Sequence, residues 1–133
     1  MDENFATTYF FLWQTLAMQG NYDEAFEWRM KSLAIGKADE ETVQSYRAAY
    51  QTSGWQGVLR EEVKRFDAGK QYYYHGAASN AQVGDKEKAF DYLEKSHQRR
   101  ELWICYLQVD PRFDSLRGDP RFDELVRRVG ISQ

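Results

Sequence analysis

Residues 20–32 read GNYDEAFEWRMKS, and residues 84–96 read GDKEKAFDYLEKS. The two align without a gap: Gly20 with Gly84, Ala25 with Ala89, Phe26 with Phe90, Trp28 with Tyr92, Lys31 with Lys95, Ser32 with Ser96. Each opens on a turn glycine followed by apolar residues at helical spacing, so each marks the second helix of a helix–turn–helix unit. The offset of 64 residues is about two periods of the 30–35 residues that stacked helix pairs occupy. A middle unit is therefore expected. Gly54 marks it, followed by Leu59, Val63 and Phe66 at helical spacing.

Working outward, Tyr9, Leu12, Trp13 and Leu16 recur at i, i+3, i+4 and i+7, which predicts an amphipathic helix over residues 4–19. Phe26, Met30 and Leu33 continue the pattern in a second helix, ended by Gly36. Val43, Tyr46 and Tyr50 mark a third, with Asp39 or Thr42 as its cap. Residues 72–82 and 86–98 form the last pair. The units are thus about 4–37, 39–69 and 70–98, followed by a cap at about 99–131. Within that cap the dense apolar run ELWICYLQV (101–109) is helical by continuity. DPRFDSL at 110 then recurs as DPRFDEL at 119, each Asp suited to a helix N-cap and each Pro to the first helical position. Phe122, Leu125, Val126 and Val129 form the stripe of a terminal helix that closes the array.

Composition agrees with an all-α fold. Only 9 Gly and 2 Pro occur in 133 residues, against 21 aromatics (8 Phe, 9 Tyr, 4 Trp). That balance argues against both disorder and a turn-rich β fold. A net charge of −3 carries no sign of a nucleic-acid surface. The lone Cys105 excludes an intrachain disulfide framework. No apolar run reaches membrane-spanning length and no signal-peptide core follows Met1, so a cytoplasmic protein without a membrane role is expected.

These residues resemble the tetratricopeptide repeat family. Its first helix couples aromatic, large apolar and small residues, where the chain offers Tyr9, Leu12, Trp13 and Leu16, with Trp13 in the small-residue position. Its second helix pairs an alanine with an aromatic, where the chain has Ala25 but Arg29, with Phe26 able to take over the packing. The middle unit supplies Val43, Tyr46, Arg47 and Tyr50, then Leu59 and Val63. The third supplies Tyr73, Gly76, Ala77 and Asn80, then Ala89 and Leu93. None carries the family's closing proline. The match covers roughly residues 6–100. The tail is similar to the C-terminal ends of repeat regions in bacterial signalling proteins, among them winged-helix regulators, serine/threonine kinases and nucleotide cyclases.

The resemblance implies a short right-handed superhelix of three antiparallel helix pairs whose first helices line a concave groove for a peptide or partner helix. Counted from the family's positions, that groove would carry Phe10, Gln14 and Ala17, then Gln44, Ala48 and Gln51, then Tyr74, Ala78 and Gln82. The Lys, Arg and Asn clamp with which chaperone-binding members hold a terminal carboxylate is absent, Arg47 being the nearest substitute. An acidic C-terminal tail is accordingly disfavoured in the groove.

Catalysis is not expected. His75 lies among tyrosines on a packing helix, His97 at a solvated helix end, and Cys105 in an apolar run where a buried, inert thiol is usual. No phosphate loop, nucleophile elbow or metal motif occurs, so neither a cofactor nor a metal is implied. The chain is expected to be a non-catalytic protein-interaction or regulatory module with a protein or peptide partner. A homodimer is the alternative: Phe5, Phe10 and Phe11 cannot all share the stripe of Leu12 and Leu16, and a helix apolar around much of its circumference needs cover on more than one side.

Overall fold

A computed structural model describes the backbone of residues 3–132 and the side chains of residues 7–130; those of Phe5 and its neighbours lie outside. The described residues form helices joined by turns, without a strand. Six α-helices follow in order: α1 (Glu3–Met18), α2 (Tyr22–Ile35), α3 (Glu40–Lys64), α4 (Tyr73–Gln82), α5 (Lys86–Gln98) and α6 (Pro120–Ser132). Two 3₁₀ helices, Leu102–Tyr106 and Pro111–Leu116, lie between α5 and α6. The chain divides into two compact units, residues 1–61 and 62–133.

The aligned glycines end α1 and α4 in the same way. Gly20 and Gly84 adopt φ of 82° and 91°. At the first turn Asn21 N–H donates to Leu16 O and Gly20 N–H to Ala17 O; at the second, Asp85 N–H donates to Asn80 O and Gly84 N–H to Ala81 O. This paired 6→1 and 5→2 pattern, with a left-handed residue at its centre, satisfies the last helical carbonyls and reverses the chain.

In the first unit α1 packs on α2, with Tyr9 stacked on Trp28 at 5.2 Å. Ala25 (0%), Trp13 (4%), Ala17 (3%) and Tyr46 (2%) form its core. Arg29 lies 5.2 Å from the centroids of both Trp13 and Tyr46. The cation thereby packs between rings where an aromatic was expected. Phe26 instead stacks flat on Tyr50 at 4.2 Å. Asp39, not Thr42, caps α3, its carboxylate accepting from Thr42 N–H at 2.8 Å. Gly54 breaks that helix with φ 63° and ψ −149°. Beyond it the chain folds back so closely that a Cβ on Gly57 would sit 2.2 Å from Ala49 O. Residues eight apart in an unbroken helix would be about 12 Å apart, so α3 is two helical arms, as the Gly54 marker implies.

In the second unit α4 packs on α5, and the core gathers Tyr74, Ala77, Ala81, Ala89, Leu93, Ile104, Leu107, Phe113, Leu116, Phe122 and Leu125. Asp85 caps α5 through Lys88 N–H. The tail departs from expectation: neither residues 101–109 nor the first DPRF segment forms an α-helix, and both are 3₁₀. The reason lies in a period of three. Ile104, Leu107, Phe113 and Leu116 are buried, with Glu101 and Asp110 half-buried in the same phase. Only a helix of three residues per turn keeps such positions on one side. The DPRF doublet is thus the visible part of three nine-residue units: Glu101–Ile104–Leu107, Asp110–Phe113–Leu116 and Asp119–Phe122–Leu125.

Candidate functional site

The acid that opens each nine-residue unit holds a helix start. Glu101 spans 28 positions of sequence to accept from Tyr73 N–H and Tyr74 N–H, both at 3.0 Å, at the open N-terminus of α4. Asp110 accepts from its own Arg112 N–H at 3.0 Å, and Asp119 from Arg121 N–H at 2.9 Å. In both DPR segments the carboxylate also grips the arginine side chain two residues on. The first pair is dry, with Arg112 and Asp110 side chains 8% and 11% exposed. The second is wetter, at 47% and 20%.

Around the dry pair a polar network closes. Tyr74 Oη donates to Asp110 Oδ2 at 2.7 Å, and Arg112 Nη1 lies 3.5 Å from His75 Nδ1. His75 packs edge-on against Trp103 at 4.7 Å. Burial, reinforced by the Arg112 charge and opposed by Asp110, holds His75 neutral, with its pKa lowered to about 3. Burial and then Asp110 raise the Tyr74 phenol above its usual range. Burial works against the Asp110 carboxylate, but the Arg112 hydrogen bonds and charge outweigh it and lower its pKa. Every charge here is answered by another, as a buried ionic network requires.

The expected groove residues separate. Tyr74 (0%), Ala78 (0%) and Ala17 (3%) are core. Tyr74 therefore leaves the set of partner-binding residues: its ring packs against Phe113 at 5.2 Å and its hydroxyl belongs to Asp110. Phe10 and Gln14 are half-buried, Phe10 edge-on to Phe11 and Trp13. Gln82 is half-buried and donates to Ala78 O. Gln44, Arg47 and Gln51 are exposed along one side of α3, with Ala48. Of the two proposed self-association residues, Phe11 is 47% exposed, whereas the side chain of Phe5 lies outside the described residues.

Cys105 is exposed rather than buried. It belongs to the outer face of the first 3₁₀ helix. In that helix and the turn after it, the inward period of three leaves Leu102 86%, Tyr106 54% and Val109 74% exposed. The sequence conceals these exposed apolar residues because an α-helical period distributes them differently. The spacing Ile104–Leu107–Phe113–Leu116 was the available signal. A shallow cleft of about 340 Å³ between α5 and α6 is a weaker candidate. Its charges are spent on each other, Arg121 on Glu87 and Arg128 on Glu94.

Comparison of the chain with protein-family models, curated proteins and solved structures finds no match. Among the described residues no group of three or more His, Cys, Asp and Glu side chains could hold a metal ion. None of their helices is long and apolar enough to cross a membrane.

Proposed function

We propose that the chain is a non-catalytic protein-interaction module of tetratricopeptide-like build, a regulatory part or relative of bacterial signalling proteins. The observation that carries this is the strip of Leu102, Tyr106 and Val109. Large apolar side chains left exposed at both outward positions of a segment whose third position is anchored in the core mark a surface meant to be covered. The row of Gln44, Arg47 and Gln51 on α3 is a second, polar contact surface, and its amides suit a peptide backbone. A non-catalytic role is supported by the commitment of His75, Tyr74, Asp110 and Arg112 to one another.

Photo-crosslinkers placed singly at Tyr106, Gln44 and Glu27 test the assignment. Adducts with a partner protein are expected from Tyr106 and Gln44, and are expected to vanish from Tyr106 when Leu102→Ser and Val109→Ser are added. Adducts from Glu27 alone would overturn it. The alternative, a homodimer through α1, is favoured by the exposure of Phe11 (47%) and Met18 (40%). Light scattering decides it: a dimer mass that Phe11→Asp halves supports self-association, and a monomer mass for both chains excludes it.

A further inference from the structure

The residues bordering the strip say what kind of partner covers it. Arg99 and Arg100 are exposed immediately before it, and neither has a carboxylate partner among the described residues. Arg99 packs its guanidinium over the Tyr73 ring at 4.7 Å. Arg100 occupies a left-handed position, φ 54°, where glycine is the less strained residue. Of the neighbouring acids, Asp110 is paired with Arg112 and Asp114 with Arg117, while Glu101 accepts from the α4 N–H groups and keeps its charge. On a chain of net charge −3 this edge therefore carries two arginines against the single carboxylate of Glu101, a local positive excess beside exposed apolar groups.

We propose that the outer face of residues 102–109 docks an acidic amphipathic segment of a partner protein. Its apolar side chains seat on Leu102, Tyr106 and Val109, and its carboxylates meet Arg99 and Arg100. This is the helix-on-apolar-surface mode of recognition, with register read by the aliphatic anchors and selectivity supplied by charge. The terminal-carboxylate clamp of the groove plays no part, because the recognised charges lie along the segment.

The acidic partner presupposes the docking role proposed above, and one titration separates the two. Cys105 is the chain's one cysteine and sits in the strip, so an environment-sensitive fluorophore attached there reports its covering. The probes are a synthetic amphipathic peptide of roughly 18 residues with Leu on one face and Glu on the other, the same peptide with Lys for Glu, and vesicles containing anionic phospholipid. The acidic peptide is expected to shift the emission to the blue saturably and to bind about tenfold more tightly than the basic one. Salt is expected to weaken it, Arg99→Glu with Arg100→Glu to reverse the preference, and Leu102→Ser with Val109→Ser to abolish binding at unchanged helicity. Equal or tighter binding of the basic peptide overturns the acidic partner and leaves the docking surface standing. A response to vesicles alone makes the strip a lipid contact and overturns both, as does no response to any probe.

Discussion

Lys37 and Arg100 hold φ of 58° and 54° at the ends of α2 and α5. Both sit in the turn pattern that Gly20 and Gly84 use: Ala38 N–H donates to Leu33 O, and Glu101 N–H to Ser96 O. Gly36, the residue expected to end α2, keeps an ordinary φ of −74°. The left-handed conformation strains a residue with a Cβ by about 1–2 kcal/mol, partly offset because glycine frees the unfolded chain. Lys37→Gly is therefore expected to stabilise the protein by about 0.5–1 kcal/mol, read as a higher urea midpoint. His75 carries a second prediction. The folded protein takes up its proton only near pH 3, whereas the unfolded chain does so near 6.5. This contribution to stability is whole above about pH 6.5 and declines by roughly 1.4 kcal/mol per pH unit as the pH falls below it. Of the charged and polar groups around the imidazole, Arg112 opposes its protonation and Asp110 favours it, while Tyr72, Tyr74 and Trp103 supply rings. Urea unfolding at pH 7 and pH 5 is expected to show the loss in the native chain and a much smaller one in His75→Gln.

At the scale of elements, the helix pairs were legible because their turns demand glycine and their faces repeat at 3.6. Residues 86–98 and the ends of α1 and α4 fall where the aligned segments place them. The tail was legible only in half. Asp-Pro announced two helix starts, yet the period of three that makes the first of them 3₁₀ is hidden by Leu102, Cys105 and Tyr106, apolar residues that do not face the core. Tyr74 was unreadable for a related reason. Its position on α4 suits a groove, and only the fold of the tail, which delivers Asp110 to its hydroxyl, makes it core. Tyr74→Phe is accordingly expected to destabilise the second unit by about 1.5–3 kcal/mol, because it removes a hydrogen bond to a buried charge. Thermal unfolding measures this. A loss below about 0.5 kcal/mol would place the hydroxyl in contact with water.

For the whole molecule, two compact units divided near Glu61 make a statement about folding. Each has its own aromatic core, Trp13–Trp55–Tyr46 in the first and Tyr74–Phe113–Phe122 in the second. Residues 62–133 contain α4 to α6, both 3₁₀ helices and the complete Tyr74–Asp110–Arg112–His75 network. Expressed alone, this segment is expected to fold, with native-like helicity and an imidazole that stays neutral to well below pH 5 by NMR titration. A disordered product would mean that the first unit supplies part of its stability. What could not be read at this scale is the partner, since one scaffold serves many ligands and only the surface distinguishes them.

The three nine-residue units have a consequence for how the tail tolerates change in length. Their inward positions recur every third residue from Glu101 to Leu125, so the segment has, in effect, a reading frame. Losing or gaining three residues between Val109 and Asp119 leaves the anchors downstream facing the core. A shift of one or two within Pro111–Leu116, where the helix has three residues per turn, moves Phe113 or Leu116 off the inward face. Indels in this tail are therefore sorted by their remainder on division by three, a rule that genes obey at the level of codons and that this protein applies to its own residues.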